Sequence, residues 1–268
     1  MLCLAGLTRN GRDFQDLAMA LSGHDREARD VYTFDYRGRG LSQSDPNWRN
    51  YSVPVELLDA LDLMTIKGLH DTAVIGTSRG GLVAMVMAAM QPTAIGAVVL
   101  NDIGPVIEQT GLGRISAYVG RIPLPSTWAE AAKLVGDMSR RAFPAVEEEE
   151  WEIVARQWFN ERKGRPAPGY DSNLANALSV LDGPMPALWP KFEALKRVPL
   201  MVIRGETSDI LSQETVEEMR RRHPAMTTMT VKGQGHAPLL RDAPTIEAIR
   251  GFLGAAEAPA YVPQAMYA

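Results

Sequence analysis

The stretch Val74-Ile75-Gly76-Thr77-Ser78-Arg79-Gly80-Gly81-Leu82 decides how this chain folds. Upstream, Thr72-Ala73-Val74-Ile75 reads as a short buried strand. Downstream, the run from Leu82 to Met90 is apolar on nearly every side and reads as a buried helix that ends before Pro92. Between them, Gly-x-Ser-x-Gly makes a sharp turn from strand into helix. A serine on such a turn projects its hydroxyl beyond the sheet edge with the helix N-terminus behind it. The flanking glycines are needed because side chains there would collide with the strand and the helix. The same motif can also be a glycine-rich loop that merely joins two elements. The strand-turn-helix context is what makes Ser78 a candidate nucleophile.

Working outward, residues 1–5 read as a strand that runs into Gly6-Leu7-Thr8-Arg9-Asn10-Gly11, followed by a helix from about Asp13 to Leu21. Val31 to Asp35 is the next strand, and it empties into Tyr36-Arg37-Gly38-Arg39-Gly40-Leu41-Ser42. Pro54 opens a helix with Val55, Leu58, Leu61 and Leu63 as its expected buried side. A further strand lies at Ala97 to Leu100, after the helix that follows Ser78. Strands alternating with helices at this rhythm mean βαβ units and a parallel sheet. The rhythm stops after Asn101-Asp102-Ile103-Gly104-Pro105, and the chain is mostly helical in pattern to Pro190. The acidic run Glu147 to Glu150 reads as a solvated first turn ahead of Trp151, where carboxylates suit a helix N-terminus. The alternation returns with a strand at Pro199 to Arg204, a helix near Glu214 to Arg222, a strand from Met226 to Val231 and a last helix over about Pro244 to Leu253. The division is therefore residues 1–104 and 191–254 as a core, 105–190 as a helical insertion, and 255–268 as a small-residue, proline-rich tail expected to be poorly ordered.

A chain of 268 residues can bury a substantial core, and 46% hydrophobic with 22% charged residues is ordinary for a globular protein. The net charge of −4 gives no footprint for nucleic acid. The single cysteine, Cys3, can form no internal disulfide, and this fits a reducing cytoplasm. No apolar stretch approaches the roughly 18 residues that span a bilayer, and Met1 to Gly6 is too short for a secretory signal. One cysteine and four scattered histidines offer no metal-ligand spacing, and no cofactor is implied. The expected partner is a small-molecule substrate, with neither nucleic acid nor membrane; the oligomeric state is unreadable.

Four blocks carry a resemblance: Leu4-Ala5-Gly6-Leu7 after the first strand, Asp35 to Ser42, Gly76-Thr77-Ser78-Arg79-Gly80, and Gly235-His236-Ala237-Pro238. In this order and spacing the chain resembles an α/β-hydrolase over everything except the tail. The resemblance implies a mostly parallel sheet flanked by helices, with residues 105–190 in the place of the family's helical lid. The family carries two strands before the one that bears the oxyanion turn, and this chain begins inside that third strand. Its first two family strands are thus apparently absent, which leaves the strand at Val31 to Asp35 as an exposed sheet edge and suggests a start assigned too late or a segment removed.

The chemistry follows from residue types. A serine hydroxyl is a weak nucleophile and needs a neighbouring base. His236 is the candidate, in a glycine-bounded loop between the last strand and the last helix, whereas His24, His70 and His223 sit in contexts that look exposed. An acid must orient the imidazole and stabilise it once protonated. Asp209, beyond the strand ending at Arg204, gives the chain order Ser78, Asp209, His236 expected of the resembled fold. Its rival is Asp102, since some family members take the acid from that earlier strand, and Gly205 lies four rather than three residues before Asp209. The oxyanion hole should be built from the backbone N–H of Arg79, the residue after the nucleophile, and by resemblance that of Leu7. Thr8, Arg9 and Asn10 fall near its rim or else cap the helix that follows. Asp102, Tyr118, Trp151 and Trp158 are further candidates for the substrate pocket, although such aromatics equally serve as the core of the insertion. The resemblance implies a serine hydrolase of a small carboxylic ester or lactone acting through an acyl-enzyme. The alternatives are a hydrolase of carbon–carbon bonds in ring-cleavage products and an inactive relative that only binds ligand.

Overall fold

A computed structural model describes residues 1–23, 28–179 and 187–257. Six parallel strands form the central sheet: β1 (Leu2–Leu4), β2 (Tyr32–Phe34), β3 (Thr72–Thr77), β4 (Ile95–Asn101), β7 (Leu200–Gly205) and β8 (Thr227–Val231), in the order β2-β1-β3-β4-β7-β8. Two further strands, β5 (Asn160–Arg162) and β6 (Arg165–Ala167), pair antiparallel as a separate hairpin. Every neighbouring pair in the main sheet is parallel, as the strand-helix rhythm requires.

The sheet explains the apolar runs. Side chains alternate between its faces, so Leu2, Leu4, Val74, Val98, Leu100 and Val202 enter one core while Cys3, Ile75, Val99, Met201 and Ile203 enter another. Helices α2 (Val53–Lys67), α3 (Arg79–Met90), α8 (Trp189–Glu193) and α9 (Gln213–Arg222) contribute to the first core, and α1 (Gln15–Leu21) and α10 (Ala243–Glu257) to the second. Both faces being covered, the strands read as continuous hydrophobic runs. Burial pushes the Cys3 thiol up to about 12. One sheet edge is β2, as the family resemblance implies.

Between β4 and β7 lie α4 (Gln109–Tyr118), α5 (Trp128–Ser139), α6 (Trp151–Trp158), the β5–β6 hairpin and α7 (Leu174–Ser179). Trp151, Val154, Ala155, Ala131, Val135, Phe143 and Phe159 give this insertion a small core of its own. The hairpin was not expected from the sequence. Its turn uses Lys163 and Gly164, both at positive φ (53° and 72°), which is the conformation a tight two-residue hairpin demands. The glutamate run does begin a helix: Glu147 and Glu150 form a reciprocal capping box ahead of α6.

Three expectations need correction. The buried face of α2 is Glu56, Leu57, Ala60 and Met64, with Leu58 exposed, because the pairing of Glu56 with two arginines makes a carboxylate buriable there. His223 is buried, with its Nε2 at 3.2 Å from the Leu195 carbonyl oxygen, whereas His70 is exposed and His24 lies outside the described residues. The last helix continues to Glu257 rather than ending near Leu253; the rest of the expected tail, 258–268, lies outside the described residues. No helix among the described residues is long and apolar enough to cross a membrane.

Candidate active site

The carboxyl ends of parallel strands in an open α/β sheet are where ligands bind, and here those ends gather the chemistry. β3 ends at Thr77 and α3 begins at Arg79, which leaves Ser78 alone on the turn at φ 50°, ψ −113°. A non-glycine residue at positive φ is strained by about 1 to 3 kcal/mol, and the surrounding packing enforces it. A Cβ on Gly76 would stand 2.5 Å from the Gly81 nitrogen, and one on Gly80 would stand 2.0 Å from the Leu4 carbonyl oxygen. Only glycine lets α3 leave the sheet so tightly, and the serine hydroxyl is thereby raised above it.

The Ser78 Oγ lies 2.8 Å from His236 Nε2, and His236 Nδ1 lies 2.8 Å from Asp102 Oδ2. An ionised carboxylate can only accept, so Nδ1–H donates to Asp102 and Nε2 is left to accept the serine proton. Asp102 is fully buried, which a charge tolerates only with strong partners. It has three: the Gly205 N–H donates to Oδ1 at 2.7 Å, and the Ser208 hydroxyl (2.6 Å) and the imidazole both donate to Oδ2.

Asp102, not Asp209, therefore holds the histidine, contrary to the assignment preferred from sequence. The registers explain why. Thr77 pairs with Asn101, so the residue after each of those strand ends, Ser78 and Asp102, belongs to neighbouring strands. Asp102 takes φ 54°, and its own N–H donates to the Ile203 carbonyl at 2.8 Å, which fixes the turn. The loop after β7 instead sends the Ser208 hydroxyl to this carboxylate, and Asp209 faces α4, where Arg114 grips both of its oxygens at 2.6 and 2.8 Å. Burial alone would raise the Asp209 carboxyl, but the hydrogen bonds and charge of Arg114, helped by His236, hold it below the usual carboxylate range.

Neither the Leu7 nor the Arg79 N–H has a protein acceptor among the described residues. That of Arg79 is free because it opens a helix. A buried ion cluster ties these two residues together. Glu56 Oε2 accepts from Arg79 Nε at 2.6 Å, and Glu56 Oε1 pairs with Arg39 at 2.7 Å. Arg39 in turn donates from Nε to the Leu7 carbonyl at 2.9 Å. Arg39 and Glu56 are fully buried. Through Arg39 the Asp35–Ser42 block is thus a support for the turn that carries Leu7. Glu56, Ser208 and Arg114 were not singled out from sequence, since nothing in local spacing marks a glutamate on an amphipathic helix as buried.

A cavity of about 910 Å³ opens over Ser78 and His236. Leu7, Thr8, Tyr118, Trp151 and Trp158 all line it, and so does Asp209. Trp151 is at the same time core of the insertion, buried with Val154 and Ala155. Tyr118 and Trp158 stand with ring centroids 6.5 Å apart, and burial pushes the Tyr118 phenol up. Asn10 does not line the cavity: its Oδ1 caps the 3₁₀ turn Gly11–Phe14 by accepting from the Arg12 N–H, and its Nδ2 donates to the Gln157 carbonyl of α6 at 2.8 Å. Asp102 also stays out of the wall, behind the imidazole.

A family model described as the alpha/beta hydrolase family matches residues 1–248. A Cupriavidus necator protein named 3-hydroxybutyrate-oligomer hydrolase is 32% identical over 251 residues, spanning 90% of this chain and 84% of its own. A Mesorhizobium japonicum protein named 2-(acetamidomethylene)succinate hydrolase is 26% identical over 263 residues, or 95% of this chain and 88% of that one. Among solved structures, an alpha/beta hydrolase from Novosphingobium aromaticivorans superposes with a TM-score of 0.87 at 39% identity, covering 94% of this chain and 88% of the other.

Proposed function

The chain belongs to the alpha/beta hydrolase family, and on that premise we propose that it is a serine hydrolase that cleaves a small carboxylic ester through an acyl-enzyme. The observation that carries the reading is the continuous relay from Ser78 Oγ through His236 to Asp102, with 2.8 Å at each link. In the first half-reaction Ser78 Oγ attacks the ester carbonyl as His236 Nε2 takes its proton. Asp102 stabilises the resulting imidazolium. The negative charge that develops on the former carbonyl oxygen is met by the free N–H groups of Leu7 and Arg79. Collapse of the tetrahedral intermediate breaks the bond to the alcohol, which leaves with the proton from Nε2, and the acyl group stays on Ser78. A water molecule then gives its proton to Nε2 and attacks the acyl carbon. The second collapse releases the acid and returns the proton to Ser78.

The helical insertion covers the cavity as a lid, and the aromatic wall of Tyr118 and Trp158 suits the short apolar part of such an ester. A relative named for hydrolysis of 3-hydroxybutyrate oligomers supports a short-chain ester as the bond attacked. The test is mass spectrometry after treatment with a fluorophosphonate, followed by an ester panel run beside a vinylogous diketo acid. One adduct on Ser78, lost in Ser78→Ala, with turnover of short esters but not of the diketo acid, is the expected result. Folded protein that takes no adduct and cleaves no ester overturns the reading.

A further inference from the structure

The cavity wall is positively charged in a chain that is acidic as a whole. Three arginines line it (Arg9, Arg114 and Arg141) against two aspartates (Asp13 and Asp209), while the net charge of the chain is −4. Arg114 is used up by its two-pronged bond to Asp209. Arg9 is paired in the same way with Asp13 but keeps one donor spare, and Arg141 keeps its whole guanidinium. Arg141 is exposed and has neither an ion pair nor a hydrogen bond among the described residues. Arg9 gives Nε and Nη2 to the Asp13 carboxylate at 2.8 and 2.5 Å, but its Nη1 is shut away from water and donates to no group among the described residues. A guanidinium is always charged and offers five donors in a fixed fork. A buried donor left without an acceptor is a standing cost to the fold.

Position makes this donor informative. The Arg9 Cγ lies 3.3 Å from where a Cβ on Gly6 would stand, and the Ser78 Cβ lies 3.8 Å from the same point. Gly6 is therefore the spacer between the arginine stem and the nucleophile. The Arg9 N–H closes a turn onto the Gly6 carbonyl at 3.1 Å, so the stem is carried by the same backbone that presents Leu7. The guanidinium carbon sits 4.6 Å from the centre of the Trp158 ring. That stacking seats the guanidinium against Trp158 of α6, and both residues line the cavity.

We propose that Arg9 reads a carboxylate on the substrate, so that the ester taken by this site carries a negative charge close to the bond that is cut. The proposal rests on the serine-hydrolase reading and names its substrate class: esters of hydroxy acids or of dicarboxylic acids with one carboxylate left free. An oxygen of that carboxylate accepts from Nη1 as the Trp158 ring shifts aside, and Arg141 draws the anion in from solvent. Asp13 keeps the fork aligned by holding its other two donors.

The test uses one ester bond with and without the charge: 3-butanoyloxybutanoate and its neutral amide, 3-butanoyloxybutanamide, each followed by butyrate release. Wild-type kcat/KM favours the carboxylate by about 10- to 100-fold, the range of a charge-assisted hydrogen bond. In Arg9→Met that ratio falls close to one, in Arg9→Lys part of it survives, and in Arg141→Ala the preference becomes weaker and less salt-dependent. Thermal melting and fluorophosphonate labelling of Ser78 in each variant separate loss of recognition from loss of fold. The Kd of both compounds for Ser78→Ala protein, by calorimetry, reads the same preference without turnover, so it decides the proposal even if neither ester is cleaved. A ratio near one in the wild type, in rate and in Kd alike, overturns the role of Arg9, as does a preference that Arg9→Met leaves unchanged. Failure of the serine-hydrolase reading looks different: no butyrate from either compound and no adduct on Ser78.

Discussion

Replacing Asp102 by asparagine tests the relay at the residue that the two ways of reading this chain dispute. The Gly205 N–H donates to Asp102 Oδ1 at 2.7 Å, so the asparagine carbonyl must occupy that place; an amide nitrogen there would set donor against donor. The amide NH₂ is then forced into the Oδ2 position, facing His236 Nδ1 at 2.8 Å. Nδ1 must give up its proton to accept from it, and the proton moves to Nε2. The imidazole now presents an N–H to the Ser78 hydroxyl instead of a lone pair. The side chain keeps its shape, so the protein still folds, but the base is in the wrong tautomer and its protonated form has lost a buried countercharge. The expected loss in kcat is about 10⁴-fold, or roughly 5.4 kcal/mol of transition-state stabilisation at about 1.36 kcal/mol per factor of ten. Asp209→Asn removes only one side of a part-exposed ion pair to Arg114, worth at most about 1 kcal/mol, so its kcat falls by less than about tenfold. The assay is steady-state hydrolysis of p-nitrophenyl butyrate by wild type and the two variants, with melting curves to confirm folding. Collapse of Asp209→Asn with near-normal Asp102→Asn would refute the relay as drawn.

Three further outcomes follow from the packing. Glu56→Gln leaves Arg39 and Arg79 beside a neutral partner in a buried site; it should cost about 3 to 5 kcal/mol, on the order of 10 °C in Tm, and should lower kcat because Leu7 and Arg79 are no longer tied together. Gly80→Ala puts a Cβ 2.0 Å from the Leu4 carbonyl oxygen, so the urea midpoint should fall by an amount equivalent to about 3 kcal/mol or more. The Asp209 carboxyl is held below its ordinary value of 3.8 in the fold, so the stability it lends is present above that value and is lost as the pH falls through the depressed one; the Tm difference between wild type and Asp209→Asn should be clear at pH 6 and vanish in strong acid.

The local chemistry of the chain was enough for much of this. Apolar runs of four to nine residues punctuated by glycine and proline can only alternate between buried strands and helices, and that rhythm gives the parallel sheet and the insertion after β4, while the edge at β2 came from the family resemblance. The turn at Ser78 was legible because its two glycines answer a purely local steric demand, and His236 because a glycine-bounded loop after the last strand is short. What the sequence could not decide was every partner chosen across a distance. Asp102 and Asp209 both follow strand ends, and nothing within ten residues of either says which one meets the imidazole. The register of β3 on β4 and the arrival of Arg114 from α4 settle it. Glu56 looks like one more solvent-facing glutamate until Arg39 and Arg79 close on it from two other segments. A strand or a sharp turn is dictated by neighbours along the chain, and so it is written in them. The pairing of buried charges is dictated by desolvation, which exists only once distant segments have come together.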